Sequence, residues 1–166
     1  AHGVKVTNTP GAVTDATADT AMTLILMSAR RAGEGERLVR SGAWEGWHPT
    51  QMLGLHVTGK TVGIVGMGRI GQAIARRCHF GFGMEVLFFN RSPKAVDFPA
   101  RQVDSLHDLA AAVDILVVAT PGGAETHHLI NAEVLAAMQP HAHLVNIARG
   151  DVVEEAALIT ALQADR

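Results

Sequence analysis

The sequence predicts a doubly wound α/β fold: a parallel sheet with helices on both faces, in three α/β/α layers. Two features carry that expectation. From Thr61 onward, short runs of apolar residues alternate with stretches of helical periodicity. Strands that are apolar at every position are buried on both faces, and a parallel sheet covered by helices on either side is the arrangement that buries them. The second feature is a glycine-rich turn placed between the first of these runs and a helix. With 166 residues, 48% of them hydrophobic, the chain can fill one sizeable core, so residues 1–166 are read as a single domain.

Gly3 to Thr7 alternates apolar and polar residues like a short strand, and Asn8-Thr9-Pro10-Gly11 supplies the turn that ends it. A largely buried helix is expected from Ala16 to Arg30, capped by Thr14 or Asp15, with Ala18, Ala21, Met22, Ile25 and Ala29 on one face. Between Gly33 and Lys60 the periodicity breaks into an irregular arm. Its two tryptophans, Trp44 and Trp47, either pack locally under a loop or anchor a second subunit. Strands are expected at Thr61–Val65, Glu85–Phe89, Ile115–Ala119 and His143–Ile147. The helices between them are Arg69–His79, Ser105–Ala112, Ala132–Met138 and Glu154–Ala164. The last helix meets no Gly or Pro stop and the first residue is not Met, so both ends are expected to be cut.

Composition removes several classes of partner. The formal net charge is −2 and the pI near 6.5, which leaves no basic field for nucleic acid or anionic lipid. No apolar run reaches the ~20 residues that span a bilayer, and Ala1–Lys5 lacks the n- and h-regions of a secretory signal. Cys78 is the single cysteine, which excludes an internal disulfide and fits a reducing compartment. A cytoplasmic protein is the expectation.

The turn Gly66-Met67-Gly68-Arg69-Ile70-Gly71 follows the strand Thr61–Val65 and opens the helix at Arg69. Three glycines at this spacing can arise by chance; the strand before and the helix after give the motif its meaning. Gly66 permits the tight turn, Gly68 lets the backbone approach phosphates, and Gly71 lets the helix lie against the strand. Unpaired N–H groups and the positive end of the helix dipole then attract a diphosphate. These six residues are the candidate dinucleotide-binding turn of a Rossmann fold.

The end of the second strand selects the dinucleotide. NAD sites carry an acid about 20 residues beyond the glycines that accepts hydrogen bonds from the ribose hydroxyl. Here Glu85–Phe89 is followed by Asn90-Arg91-Ser92: an amide, a guanidinium able to grip phosphate in a bidentate fork, and a hydroxyl. NADPH is therefore expected as the cofactor, with NADH weaker, and Lys94 can add charge. The missing acid also argues against a methyltransferase. Arg149 lies just beyond the strand ending at Ile147, where ligands sit in open α/β sheets.

Six segments, in order, resemble the D-isomer-specific 2-hydroxyacid dehydrogenases, and within them the glyoxylate/hydroxypyruvate and 2-ketogluconate reductases. They are Val6–Gly11, Asp15–Ala21, Gly63–Ala73, Asn90–Ser92, Glu125–Ile130 and Val145–Gly150. The resemblance implies a coenzyme-binding domain for hydride transfer to the keto carbon of a small 2-oxo acid. Of the Arg, Glu and His that carry the family's reaction, only the Arg matches a position here. Arg149 is implied as the catalytic residue that orients the substrate and polarises its carbonyl. Thr120, Pro121, Thr126, Ile147, Ala148 and Arg149 are implied as cofactor-lining.

In the family the Glu and His lie downstream of the position matched by Arg166. Without them, acid catalysis worth ~10²–10⁴ in rate is missing, so these residues alone are expected to bind cofactor and turn over slowly if at all. Residues 1–10 are implied as the last link from a substrate domain. The arm at 41–60 is implied as a dimer contact, giving a homodimer through the long N-terminal helix and residues 41–55. Gly122-Gly123 departs from the family's Leu-Thr. The histidine pairs 127/128 and 141/143 lack a Cys or acid at metal-ligand spacing, so structural roles and no metal are expected. A second reading is a non-catalytic regulatory module of the same fold, like corepressors that sense dinucleotide occupancy.

Overall fold

The mostly apolar runs from Thr61 onward become strands because a sheet covered on both faces removes most of their side chains from water. The computed structural model describes residues 3–164; residues 1–2 and 165–166, which the single-domain reading includes, lie outside them. The strands are β1 (Thr61–Val65), β2 (Glu85–Phe89), β3 (Arg101–Gln102), β4 (Ile115–Val118) and β5 (His143–Asn146). All pair in parallel, in the order β3-β2-β1-β4-β5. The helices are α1 (Thr14–Ala29), α2 (Ala32–Arg40), α3 (Arg69–Arg76), α4 (Leu106–Ala112), α5 (Ala132–Ala137) and α6 (Glu155–Gln163).

The period of two along each strand divides the interior into two cores. Val62, Ile64, Val86, Phe88, Ile115, Val117 and Val145 pack with Ala18, Ala21 and Ile25 of α1 and with Ile74 and Ala75 of α3. Their neighbours Val65, Leu87, Leu116 and Val118 pack on the other face with Leu109 of α4 and Val134 of α5. That is the expected three-layer arrangement. Strand order reverses at β1, so the loops after β1 and β4 part and leave a crevice at the carboxyl edge.

Several local expectations fail for lack of tertiary partners. Gly3–Thr7 forms no strand, because no sheet edge is there to pair with it, and Val4 and Val6 are exposed. Thr14 and Asp15 lie inside α1, whose N-cap is Val13 with no side-chain cap bond. Asp15 and Asp19 instead hold Arg77 of the neighbouring segment, at 3.0 and 2.9 Å. The five expected core residues of α1 are buried, but Leu24 and Met27 on its other side are exposed, so only one face is covered.

The expected arm at 33–60 begins as a helix, α2, set off from α1 by Arg31 in the left-handed region at φ 55°. None of its residues is buried, so no apolar period marked it; ion pairs Arg31–Glu34 and Arg40–Glu36 support it. Trp44 and Trp47 do not pack under a loop: they are 50% and 77% exposed. The helix expected to reach His79 leaves α geometry after Arg76 and ends in a π-helical turn, Arg77–Gly81. That turn buries Cys78, and burial pushes its thiol up to about 12, so it is unreactive. Ser105 caps α4 from outside it, accepting from the Asp108 amide at 3.0 Å.

Candidate dinucleotide site

The glycine turn sits where β1 hands over to α3, and each glycine has a distinct neighbourhood. Gly66 has φ +96°, donates its N–H to the Phe89 carbonyl at 2.9 Å, and leaves room for a Cβ only 3.0 Å from the Ala119 oxygen. At Gly71 a Cβ would fall against the Gly66 carbonyl oxygen and lie 3.2 Å from Ile64 Cγ2, so the missing side chain lets α3 approach β1. Gly68, the N-cap residue, has open space where its Cβ would be.

Met67 contributes backbone and core: its side chain is fully buried, and its amide donates to Asn90 Oδ1 at 3.2 Å. Asn90 also donates from Nδ2 to the Ser92 carbonyl at 2.9 Å, so its amide ties the end of β2 to the glycine turn. Among the described residues, no protein acceptor meets the N–H groups of Gly68, Arg69 and Ile70. Those are the orphan donors of a helix N-terminus, carrying its positive dipole end.

The turn opens into a cleft of about 1430 Å³ that runs along the carboxyl edge of the sheet. Such a volume exceeds the roughly 300–1,000 Å³ of ordinary small-ligand pockets and suits an extended ligand. Its walls bring together Gly66, Gly68, Arg69, Ile70, Asn90, Arg91, Ser92, Thr120, Pro121, Thr126, Ile147, Ala148 and Arg149. Gly71 and Met67 lie behind this wall.

At one end Arg91 is ion-paired with Glu125 from the loop after β4, both groups being largely exposed. Gln102 of β3 braces the Arg91 loop, donating to the carbonyls of Asn90 (3.2 Å) and Ser92 (3.3 Å) and accepting from the Lys94 amide (2.9 Å). The sequence assigns no role to Gln102, and Glu125 enters it only as the first residue of a matched segment. A two-residue strand leaves no periodicity to read, and Glu125 meets Arg91 only because β4 lies beside β1.

At the other end Arg149 follows β5. Asn146 sets its turn, donating from Nδ2 to the Arg149 carbonyl and accepting from the Ala148 amide, both at 2.9 Å. Gly122 packs against Arg149, where a Cβ would lie 2.7 Å from Arg149 Cγ. Thr126 Oγ1 donates within its own loop to the Pro121 carbonyl at 2.8 Å. Thr120 Oγ1 is buried beside Gly66 with no hydrogen-bond partner among the described residues. A buried hydroxyl without a partner is costly unless a ligand provides one.

Among the described residues, no histidine lines this cleft. His127 and His128 stack with ring centroids 3.8 Å apart. His141, for which no acid was found in sequence, meets one through the fold: Nε2 lies 2.8 Å from Asp114 Oδ1 at the opposite, amino edge of the sheet. Burial would raise the Asp114 carboxyl, but the Thr61 amide, His141 and Lys60 outweigh it and hold the group below its ordinary range. Ser28 Oγ meets His143 Nδ1 at 2.7 Å, and burial, then the charge of His141, lowers the His143 pKa. No group of three or more metal-ligating side chains occurs among the described residues. No helix among them is long and apolar enough to cross a membrane.

A parallel sheet of this order, with open helix-terminal amides at its switch point, defines a dinucleotide-binding domain. The D-isomer specific 2-hydroxyacid dehydrogenase, NAD binding domain, matches residues 22–166, and the chain belongs to that family. It is 50% identical over 168 residues to a glyoxylate reductase of Thermococcus kodakarensis, covering 98% of this chain and 50% of that protein. It is 48% identical over 163 residues to glyoxylate/hydroxypyruvate reductase B of Pectobacterium atrosepticum, covering 96% of this chain and 51% of that one.

Among solved structures it resembles an NADPH-dependent glyoxylate/hydroxypyruvate reductase of Sinorhizobium meliloti in complex with NADP and malonate. There the TM-score is 0.88 at 43% identity, over 98% of this chain and 50% of that one. Rhodotorula graminis D-mandelate dehydrogenase gives 0.87 at 36% identity, again over 98% and 50%. The chain thus spans about half the length of the curated relatives it matches.

Proposed function

We propose that this domain binds NADPH in preference to NADH, and that the whole protein reduces a small 2-oxo acid of the glyoxylate, hydroxypyruvate or 2-ketogluconate type to its D-2-hydroxy acid. The observation that carries this reading is one cleft with open helix-terminal amides at its centre and a guanidinium at each end. The residues present fit the cofactor: Gly68 leaves a methyl-sized gap in front of the amides, and the buried Thr120 hydroxyl awaits a partner.

The amides of Gly68, Arg69 and Ile70 hold the diphosphate, while Gly66, Met67 and Gly71 set the turn that aims them. Arg91 grips the ribose phosphate, Ser92 adds a donor, and Asn90 holds their strand end in place. Thr120, Pro121, Ile147 and Ala148 wall the nicotinamide end, with Thr126 bracing the loop. When bound, the nicotinamide supplies the hydride that adds to the keto carbon. Arg149 binds the substrate carboxylate and draws electron density toward the carbonyl oxygen, its fork suiting both. By the family resemblance, the proton for the developing alkoxide comes from a His whose pKa a Glu raises, and neither residue matches a position of this sequence.

Residues 1–10 serve as a link to a substrate domain in this reading. A homodimer forms through α1 and residues 41–55, supported by the exposed Leu24, Met27, Trp44, Trp47 and Leu53. The single cysteine suits a cytoplasmic setting. The test is an assay of the whole protein with glyoxylate and hydroxypyruvate. Arg149→Ala should lower kcat/KM by roughly 10²-fold or more, as expected when a transition-state contact is lost, and NADPH should serve better than NADH. An unchanged kcat/KM removes Arg149 from the mechanism.

A further inference from the structure

The acid missing from the end of β2 reaches the same place from the opposite wall of the cleft. Glu125, on the loop after β4, forms an ion pair with Arg91. Both side chains line the dinucleotide cleft and are 82% (Arg91) and 79% (Glu125) exposed, so each can turn away from the other. Their backbones are held. Thr126, next to Glu125, hydrogen-bonds the Pro121 and Gly123 carbonyls at 2.8 and 3.2 Å. Asn90 and Gln102 brace the loop of Arg91. Two opposed charges therefore face each other across a fixed gap at one end of the cleft.

The two charges favour different riboses. A guanidinium binds a 2′-phosphate, whereas a carboxylate repels that phosphate and accepts a hydrogen bond from a 2′-hydroxyl. We propose that Glu125 is a specificity-determining residue that weakens NADP and favours NAD by competing with the 2′-phosphate for Arg91. The inference rests on the reading of Arg91 as the residue that holds that phosphate. An exposed ion pair alters an equilibrium by about two- to fivefold, and repulsion of the phosphate adds a similar factor. Removing the Glu125 charge should therefore raise the NADP⁺/NAD⁺ affinity ratio by about four- to twenty-five-fold at low salt. The gain should shrink near 0.5 M salt, where screening acts over only a few ångströms.

Calorimetric titration of NADP⁺ and NAD⁺ into the wild-type chain, E125Q, R91A and the double variant tests this. Glu125 is a surface residue, so E125Q leaves the fold intact, which circular dichroism checks. The expected result is a raised NADP⁺/NAD⁺ ratio in E125Q, with the ion-pair share of that gain, about two- to fivefold, absent when Arg91 is also replaced. An unchanged ratio in E125Q, or an equal gain with and without Arg91, overturns the proposal while leaving Arg91 as the phosphate reader. If R91A weakens both dinucleotides equally, the underlying cofactor reading fails instead, and this inference with it.

Discussion

Replacing Gly68 with alanine should weaken dinucleotide binding yet barely change stability, whereas the same change at Gly71 should damage the fold first. Gly68 has φ −77° and ψ −167°, extended backbone open to any residue, and a Cβ there meets nothing within 4 Å. Alanine is a poorer N-cap than glycine by up to about 1 kcal/mol, and the stiffer unfolded chain returns part of that. The net change should stay within about 1 kcal/mol, or roughly 2–4 °C in Tm for a chain of this size.

The new methyl would occupy the space through which a diphosphate reaches the amides. Losing one charge-assisted hydrogen bond is worth about 1.5–3 kcal/mol, so affinity should fall by about ten- to a hundredfold. At Gly71 the added Cβ meets the Gly66 carbonyl, which is backbone and cannot rotate away, with Ile64 Cγ2 at 3.2 Å behind it. Forcing α3 off β1 should cost about 1–3 kcal/mol or more, a Tm loss of roughly 2–12 °C. Thermal melts and calorimetric titration with NADPH separate the two cases. A folded G68A chain that binds as tightly as wild type would refute the path assigned to the diphosphate, and an unchanged Tm in G71A would refute the packing argument.

Acid should destabilise the domain in two stages. A His143 pKa lowered below its ordinary 6.5 means that the unfolded chain takes up a proton before the folded one, so stability falls as the pH drops below about 6.5. Asp114, held below its ordinary 3.8, contributes stability that is present above that value and is lost as the pH falls through the lower folded pKa. Asp114→Asn should cost about 1–2 kcal/mol at neutral pH and flatten the lower stage of the Tm–pH curve; identical acid limbs in the two proteins would remove Asp114 from the account. Trp47→Ala, at a site 77% exposed, should leave a monomer's Tm nearly unchanged but shift light scattering from dimer to monomer at micromolar concentration. A wild-type chain that is already monomeric there excludes the proposed dimer.

Local order in the chain made the sheet and the turn legible. β1, β2, β4 and β5 lie within a residue of their expected ends, because short, mostly apolar runs bounded by turn residues have few alternatives to a buried strand. The face of α1 was read correctly from its spacing, as was the junction carrying Gly66, Gly68 and Gly71. Expectations failed where the signal needed a neighbour. Gly3–Thr7 alternates like a strand but finds no edge, and α2 is held by charge pairs without an apolar stripe.

The sequence by itself determined the layer architecture and the glycine-rich turn between β1 and α3, since both follow from periodicity and from glycine placement within a few residues. Only the tertiary structure decided what surrounds that turn: which amides stay open, that Asn90 ties the end of β2 to it, that Gly122 packs on Arg149, and that Glu125 answers Arg91. Those relations join residues 23 to 34 positions apart or more. No local preference encodes them, because they exist only once parallel pairing has set β1 beside both β2 and β4.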